Sequence, residues 1–250
     1  MTITRHHAAS AILTASLVAL VASPQSYESP KYAVKDLGTL GGSISIASGI
    51  NERGQVAGTS FVRGDDAVVG FVTQGEEMCP VGSLGGEVAQ ATAVNSGGET
   101  VGVAQLSGSE TVHAFVGKGG EKATDLGTLG GENSLAYDIN KSGVVVGLSQ
   151  TKDDETIHGF SYENGKMREL LPDSAFSAAT GINDAGQISG YFASRLGGIT
   201  GFVWQDGKVM TIKAIRGQVS VPLAISNRAQ VVGISSTGKK DEFHAFSFQN

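Results

Sequence analysis

The sequence predicts an all-β fold built from repeats, and three observations lead to this prediction. A short phrase ending in asparagine recurs five times, at intervals of 43 to 45 residues. Glycine is abundant, with 36 residues, whereas proline contributes only 5. No stretch of the sequence sustains an apolar stripe with the period of an α-helix. A period of this length indicates units that each form one supersecondary element and bury their apolar faces by stacking.

The first residues resemble a secretory signal peptide. Arg5 and two histidines precede an uncharged run from Ala8 to Val21 that is rich in alanine, leucine and valine, and Ala22 then provides a small residue before Ser23. This is the three-part pattern of an export signal, and the apolar run is short for a membrane span. We therefore predict a secreted or periplasmic protein whose mature form is not embedded in a membrane. An uncleaved anchor is the alternative.

The predicted organisation is a signal peptide over residues 1–22, a short linker over 23–31 and a single repeat domain over 32–250. The formal net charge is −6 and the basic residues do not cluster, which argues against nucleic acid or anionic lipid as a partner. Cys79 is the only cysteine. An internal disulfide is therefore excluded, and the stability of the domain has to come from packing.

Each unit divides into four short runs of strand-forming residues separated by glycine, asparagine, aspartate and serine. In the first unit these runs cover residues 32–37, 46–50, 55–62 and 67–73. Four short strands per unit without a helix are typical of a β-propeller blade. We predict a five-bladed β-propeller made of five four-stranded repeats of about 44 residues and closed in a ring. An open or stacked β-solenoid is the alternative.

Two sets of repeat positions support this architecture. The recurring asparagine is expected to begin a tight turn, because its side chain can accept a hydrogen bond from the backbone two residues on. Turn formation explains these amides without the sugar ligand that they would also suit. A phenylalanine in the fourth predicted strand is expected to fill the space between neighbouring sheets, where its burial contributes about 2 kcal/mol. The positions are Asn51, Asn95, Asn140, Asn183 and Asn227, and Phe71, Phe115, Phe160, Phe202 and Phe246.

The repeat also carries longer shared motifs. The run from Asp36 to Gly42 reads Asp-Leu-Gly-Thr-Leu-Gly-Gly and recurs from Asp125 to Gly131, while a His-Ala-Phe triplet stands at 113–115 and 244–246. The chain from 32 to 248 therefore resembles the bacterial extracellular HAF-repeat family, which is named for this triplet. The opening motif is altered in the second unit and lost in the fourth and fifth. The resemblance implies export and β-repeats, and it implies no established activity or catalytic residues.

Acidic residues recur in the predicted loops between the third and fourth strands. If the units align, these loops share one rim, formed by residues 63–67, 106–111, 151–156, 194–199 and 236–242. The candidate ligand-binding residues are Asp65, Asp66, Glu110, Asp153, Asp154, Glu155, Asp241 and Glu242. Solvated hairpin tips are the simplest interpretation. Calcium, which prefers clustered oxygen ligands, and glycoside hydrolysis, which needs two nearby carboxyl groups, are the alternatives.

Three histidines, His113, His158 and His244, occupy the same slot of their units. Converging imidazoles would suit zinc, but a place on the aromatic face favours packed histidines that bond the backbone. We therefore predict no metal and no cofactor, with calcium at the rim as the exception to test. The glycine-rich motif lacks the Gly-Lys-Ser/Thr sequence and the helix of a phosphate-binding loop.

Together these features predict a secreted binding or scaffold module without catalytic residues, with extracellular glycan or protein as its ligand. A hydrolase or lyase of extracellular polysaccharide and a structural envelope component are the alternatives. The sequence does not predict the oligomeric state or the role of Cys79.

Overall fold

The computed structural model describes residues 33–152, 156–193 and 197–249. The described residues from 37 onward belong to one compact unit, and residues 33–36 are assigned to a separate one. The predicted signal peptide (1–22) and linker (23–31) lie outside the described residues. The same holds for the rim residues Asp153, Asp154 and Glu155.

The predicted all-β class is confirmed, since the nineteen elements that lie wholly within the described residues are all β-strands. The strands are β1 (Gly41–Ile50), β2 (Val56–Val62), β3 (Val68–Gln74), β4 (Glu77–Val81), β5 (Gly85–Val94), β6 (Thr100–Leu106), β7 (Val112–Gly117), β8 (Thr124–Asp125), β9 (Gly130–Ile139), β10 (Val145–Thr151), β11 (Ile157–Glu163), β12 (Lys166–Glu169), β13 (Phe176–Ile182), β14 (Ile188–Ala193), β15 (Ile199–Gln205), β16 (Lys208–Ile212), β17 (Ser220–Ile225), β18 (Val231–Ser236) and β19 (Phe243–Phe248).

The strands of each repeat form an antiparallel meander in chain order. The sheets of the third and fourth repeats hold four strands each, and the sheet of the fifth repeat holds three, β17 to β19. The first two repeats merge into one mixed eight-stranded sheet, because Val68 of β3 makes a single parallel bridge to Val88 of β5. Apart from this bridge, every pairing between named strands is antiparallel.

The strand predicted over 32–37 does not form among the described residues, since residues 33–39 have no regular structure. The first strand of the meander is instead β1, which begins at Gly41, and the fourth is β4, which follows β3 through a turn at Gly75. A strand needs a hydrogen-bonding neighbour. The equivalent residues of later repeats form strands by pairing with the third strand of the preceding sheet, as β12 does with β11.

A phenylalanine on the third strand of each sheet packs above a glycine of the second strand. Phe160 is the cross-strand partner of Gly147, and its ring is fully buried. A Cβ atom at Gly147 would lie 1.9 Å from the carbonyl oxygen of Leu135, so only glycine fits there. Phe71, Phe115 and Phe202 are buried in the same way, while Phe246 of the last sheet is only partly buried.

The recurring asparagine forms the turn between the first and second strands and also links neighbouring repeats. Oδ1 of Asn140 accepts the backbone N–H groups of Ser142 and Val144, both at 3.0 Å. Its Nδ2 donates to the backbone oxygen of Asn183 in the next repeat at 3.2 Å. We call this chain of side-chain links the asparagine ladder. Its other steps run from Asn51 to Asn95, from Asn95 to Asn140 and from Asn183 to Ser226, with distances of 2.7, 3.0 and 3.1 Å.

The last step corrects the sequence alignment by one residue. In the fifth repeat the turn position belongs to Ser226, whose Oγ accepts the backbone N–H groups of Arg228 and Gln230. Asn227 instead pairs with Asp184 of the fourth repeat. It accepts the Asp184 N–H at 2.9 Å and donates to the Asp184 carboxylate at 2.9 Å. Either residue type can accept turn hydrogen bonds, so the turn pattern alone does not distinguish them.

The closed ring expected from the sequence is not formed by the described residues, because the first and last repeats leave equivalent apolar positions exposed. Ile50 is 70% exposed, whereas Val94, Ile139 and Ile182 at the same position are 6–8% exposed. Val232 of the fifth repeat is 44% exposed, whereas Val101 and Val146 at its position are fully buried.

Candidate functional site

The asparagine ladder brings the predicted rim loops to one edge of the array. It joins the same turn of successive repeats, so the sheets stack with the same orientation. In an antiparallel meander, the hairpins between second and third strands lie at the edge opposite the turns between first and second strands. The rim residues that are described therefore share the edge opposite the ladder.

Two rim carboxylates are held by hydrogen bonds within the protein. Oδ1 of Asp65 accepts the backbone N–H of Ser43 at 2.8 Å. Hydrogen bonding from the Ser43 side chain first, and from its backbone second, lowers the pKa of Asp65. Glu242 accepts hydrogen bonds from the Thr237 hydroxyl at 2.8 Å and from the Lys239 ammonium at 3.2 Å. These bonds, that from Thr237 first, lower the pKa of Glu242. Both side chains therefore stay ionised and order their own loops.

Three other rim carboxylates are exposed and available to solvent. Asp66, Glu110 and Asp241 have no hydrogen bond or ion pair within the described part of the chain. Glu110 lines an open depression of about 350 Å³ together with Glu87 and Gln105. Among the described residues, no group of three acidic, histidine or cysteine side chains is placed to hold a metal ion.

The three histidines do not converge on one another. Nδ1 of His113 lies 2.8 Å from the Asp125 carboxylate, and its Nε2 lies 3.2 Å from the backbone oxygen of Glu132 at the start of the next sheet. His158 makes the same pair of contacts, to Glu169 and to the backbone oxygen of Ser174 at 3.1 Å.

Each of these two imidazoles uses both ring nitrogens to fasten a fourth strand and the following repeat. The carboxylate partners occupy equivalent positions in their repeats, so the sequence could have predicted these two pairs. His244 is exposed, and its Nε2 lies 3.5 Å from Glu242.

A carboxylate that sequence reasoning missed lies between the third and fourth repeats. Asp138 is partly buried on β9 and accepts the backbone N–H groups of Ile139 at 2.8 Å and Ile182 at 3.0 Å. Burial raises its pKa, against the effect of these two hydrogen bonds, and the charge of Asp184 raises it further. The other repeats have glycine or alanine at this position, so the sequence itself could have identified Asp138 as an unusual residue of its repeat. Its geometry indicates a link between repeats.

The remaining thiol and the apolar segments define no further site. Cys79 is a partly buried free thiol on β4. Within the described ranges, no helix has the length and apolar character needed to cross a membrane.

Comparison with known proteins supports the fold class. The structure is similar to the crystal structure of TolB from Acinetobacter baumannii, with a TM-score of 0.55 and 12% sequence identity. The match covers 82% of this chain and 52% of the TolB chain, so this chain spans about half of that structure. The shared feature is the repeated all-β architecture of a β-propeller protein. No family model and no curated protein matches the sequence.

Proposed function

We propose that this chain is an exported, non-catalytic binding or scaffold module of the HAF-repeat type, with five propeller blades and a rim that binds extracellular glycan or protein. The observation that carries the proposal is the contrast between the two edges of the sheets. One edge repeats the same asparagine turn and is joined by the ladder. The other edge carries loops of different sequence and charge. A rigid scaffold with variable loops is typical of recognition proteins.

The rim chemistry suits recognition of polar groups. The described loops pair carboxylates with cations, as in Arg63 beside Asp65 and Asp66, and Lys239 beside Asp241. Exposed carboxylates accept hydrogen bonds from sugar hydroxyls and from basic protein side chains. The hydrogen bonds of Asp65 and Glu242 hold their loops in place, which reduces the conformational entropy lost when a ligand binds.

The electrostatics of the rim favour binding over glycoside hydrolysis. A hydrolase of this kind needs one carboxyl group with a raised pKa, which serves as a general acid. Among the rim residues that the structure describes, the two carboxylates with shifted pKa values, Asp65 and Glu242, are both shifted downward. The raised carboxylate, Asp138, accepts two backbone hydrogen bonds between repeats.

The test is a glycan and extracellular-protein array probed with the purified protein and three variants. Asp66→Asn and Glu110→Gln remove exposed rim charges and are expected to weaken binding. Asp206→Asn removes one charge at the opposite edge, in a turn whose positive φ of 51° asparagine also tolerates. This control variant is expected to bind like the wild type. Equal binding by all variants would exclude the rim as the ligand site.

A polysaccharide panel separates the binding module from the hydrolase or lyase. We expect retention on a polysaccharide without release of products. If products appear and Asp66→Asn or Asp154→Asn abolishes them while the fold stays intact, the protein is an enzyme. Calorimetric titration with Ca²⁺ tests the rim as a calcium site, and a saturable heat that Asp66→Asn abolishes would establish it. Absence of any ligand on these arrays would favour a structural envelope component.

A further inference from the structure

The two ends of the array expose the surfaces that the inner repeats bury against one another. We call the surface that meets the preceding repeat the leading face and the surface that meets the following repeat the trailing face. On the leading face of the first repeat, Ile50 is 70% exposed. On the trailing face of the fifth repeat, Val232, Ile234 and Phe243 are 44, 41 and 51% exposed. Two unpartnered apolar faces thus belong to one chain.

Inner repeats show how these two kinds of face fit together. Ile139 on the leading face of the third repeat shares one apolar cluster with Val101 on the trailing face of the second. Ile182 and Val146 do the same one repeat later. Ile50 and Val232 occupy the corresponding positions at the two ends, so each end offers the half of this contact that the other lacks.

A pair of small residues provides a second, steric match. Inside the array a glycine or alanine of the trailing face lies against the next leading face, and a Cβ atom at Gly159 would be 2.9 Å from the backbone nitrogen of Ala179. Ala245 holds this position on the last trailing face, and Ala47 holds the partner position on the first leading face. Both are exposed. The space that a neighbouring repeat needs is therefore kept at both ends.

The fifth sheet also has an open edge for a fourth strand. β12 and β16 pair with the third strands of their sheets, whereas β19 pairs only with β18 among the described strands. By the repeat spacing, residues 33–37 correspond to such a fourth strand, and Val34 is fully exposed. Addition of a strand to an exposed sheet edge is a common mode of recognition.

We propose that a second copy of this chain occupies these surfaces in a head-to-tail arrangement. The leading face of one copy packs on the trailing face of the next and reproduces the contact between inner repeats. Residues 33–37 of the incoming copy then pair with β19. Because the two faces differ, the contact is heterologous, and it can extend to further copies or close into a ring. Neither face is covered by the other within one chain, as the exposure of Ile50 and Val232 shows.

One polar element of the inner contact is missing at this junction. Ser226 replaces the ladder asparagine in the fifth repeat, so it has no amide to donate to the backbone oxygen of Asn51 in the next copy. The proposed association therefore depends on the apolar contacts and the added strand. Ser226→Asn would supply the donor, and we expect it to shift association to a severalfold lower concentration.

The experiment measures molecular mass by light scattering over a concentration series of the full chain. The wild type should form species larger than a monomer. Ile50→Asp and Val232→Asp, which each place a charge in one face, should be monomeric. Val209→Asp is the matched control, because Val209 is 42% exposed on β16, away from both end faces. Circular dichroism checks that each variant retains its strands.

Mixing the two disabled variants gives the sharpest outcome. Ile50→Asp keeps an intact trailing face and Val232→Asp keeps an intact leading face, so the mixture should form a dimer and stop there. A wild type that stays monomeric at every concentration would overturn the proposal. This holds both if Ile50 is exposed in the free chain and if another part of the same chain covers it. So would a mixture that stays monomeric while the wild type associates, since this requires a contact elsewhere. If both aspartate variants fail to fold, Ser226→Asn decides, and unchanged association would count against the proposal.

Discussion

Substitution of Asn140 tests whether the asparagine ladder stabilises the array. The side chain makes three hydrogen bonds in a buried setting, two to its own turn and one to Asn183. Each neutral hydrogen bond contributes about 1 kcal/mol. Asn140→Ala should therefore lower the free energy of unfolding by about 3 kcal/mol. Asn140→Ser should lower it by only about 1 kcal/mol, because Ser226 shows that serine can accept both turn hydrogen bonds.

Urea unfolding followed by circular dichroism measures these differences. Asn51→Ser is the comparison at a more exposed site: Asn51 makes the same three contacts and one more, from Nδ2 to Oε1 of Gln55 at 2.9 Å, but it is only partly buried. It should cost less than Asn140→Ser, because water can replace the lost bonds there. Equal losses for alanine and serine at position 140 would show that the turn bonds contribute nothing. A loss near zero for both would refute the stabilising role of the ladder altogether.

Two further substitutions probe the contacts between repeats. Asp138→Ala should gain stability relative to the wild type as the pH rises. Burial raises the pKa of Asp138, so the folded state favours the protonated form, and the stability present below the ordinary pKa is lost as the pH rises through the raised one. The difference in unfolding free energy between the two proteins should therefore shift in favour of Asp138→Ala as the pH rises from acidic to neutral, and parallel pH profiles of unfolding would contradict it. Gly147→Ala should prevent or severely weaken folding, because its Cβ would lie 1.9 Å from a backbone oxygen. Gly97→Ala should be nearly neutral, since Ala185 occupies the same turn position, and a Gly147→Ala variant as thermally stable as Gly97→Ala would show that the close contact relaxes freely.

Local patterns in the sequence predicted the strands and the turns, because both depend on residues close in the chain. The interval between asparagines and the alternation around residues such as Phe160 were sufficient for this purpose. The strand predicted over 32–37 is not formed by its described residues, 33–37, because strand-forming residues alone do not determine how a segment pairs. Ser226 was missed because serine and asparagine can both accept the hydrogen bonds of this turn. The two residues differ in that only asparagine has a side-chain amide that can donate to the next repeat.

The rim could be anticipated only in outline. The position of its hairpins followed from the strand order, once the repeats were aligned. The separate roles of its carboxylates did not follow, because sequence does not show that Asp65 bonds Ser43 while Asp66 faces solvent. Asp138 was overlooked because the motif that contains it was interpreted only as the start of the turn that follows.

The solitary thiol of Cys79 makes one part of the molecule directly observable. It lies on the fourth strand of the first sheet, partly shielded from solvent, and the sequence holds no other cysteine. The rate at which an alkylating reagent modifies the native protein therefore reports transient opening around this strand, without signal from any other site. Mass spectrometry can thus measure local opening of the first sheet over time, with no engineered label.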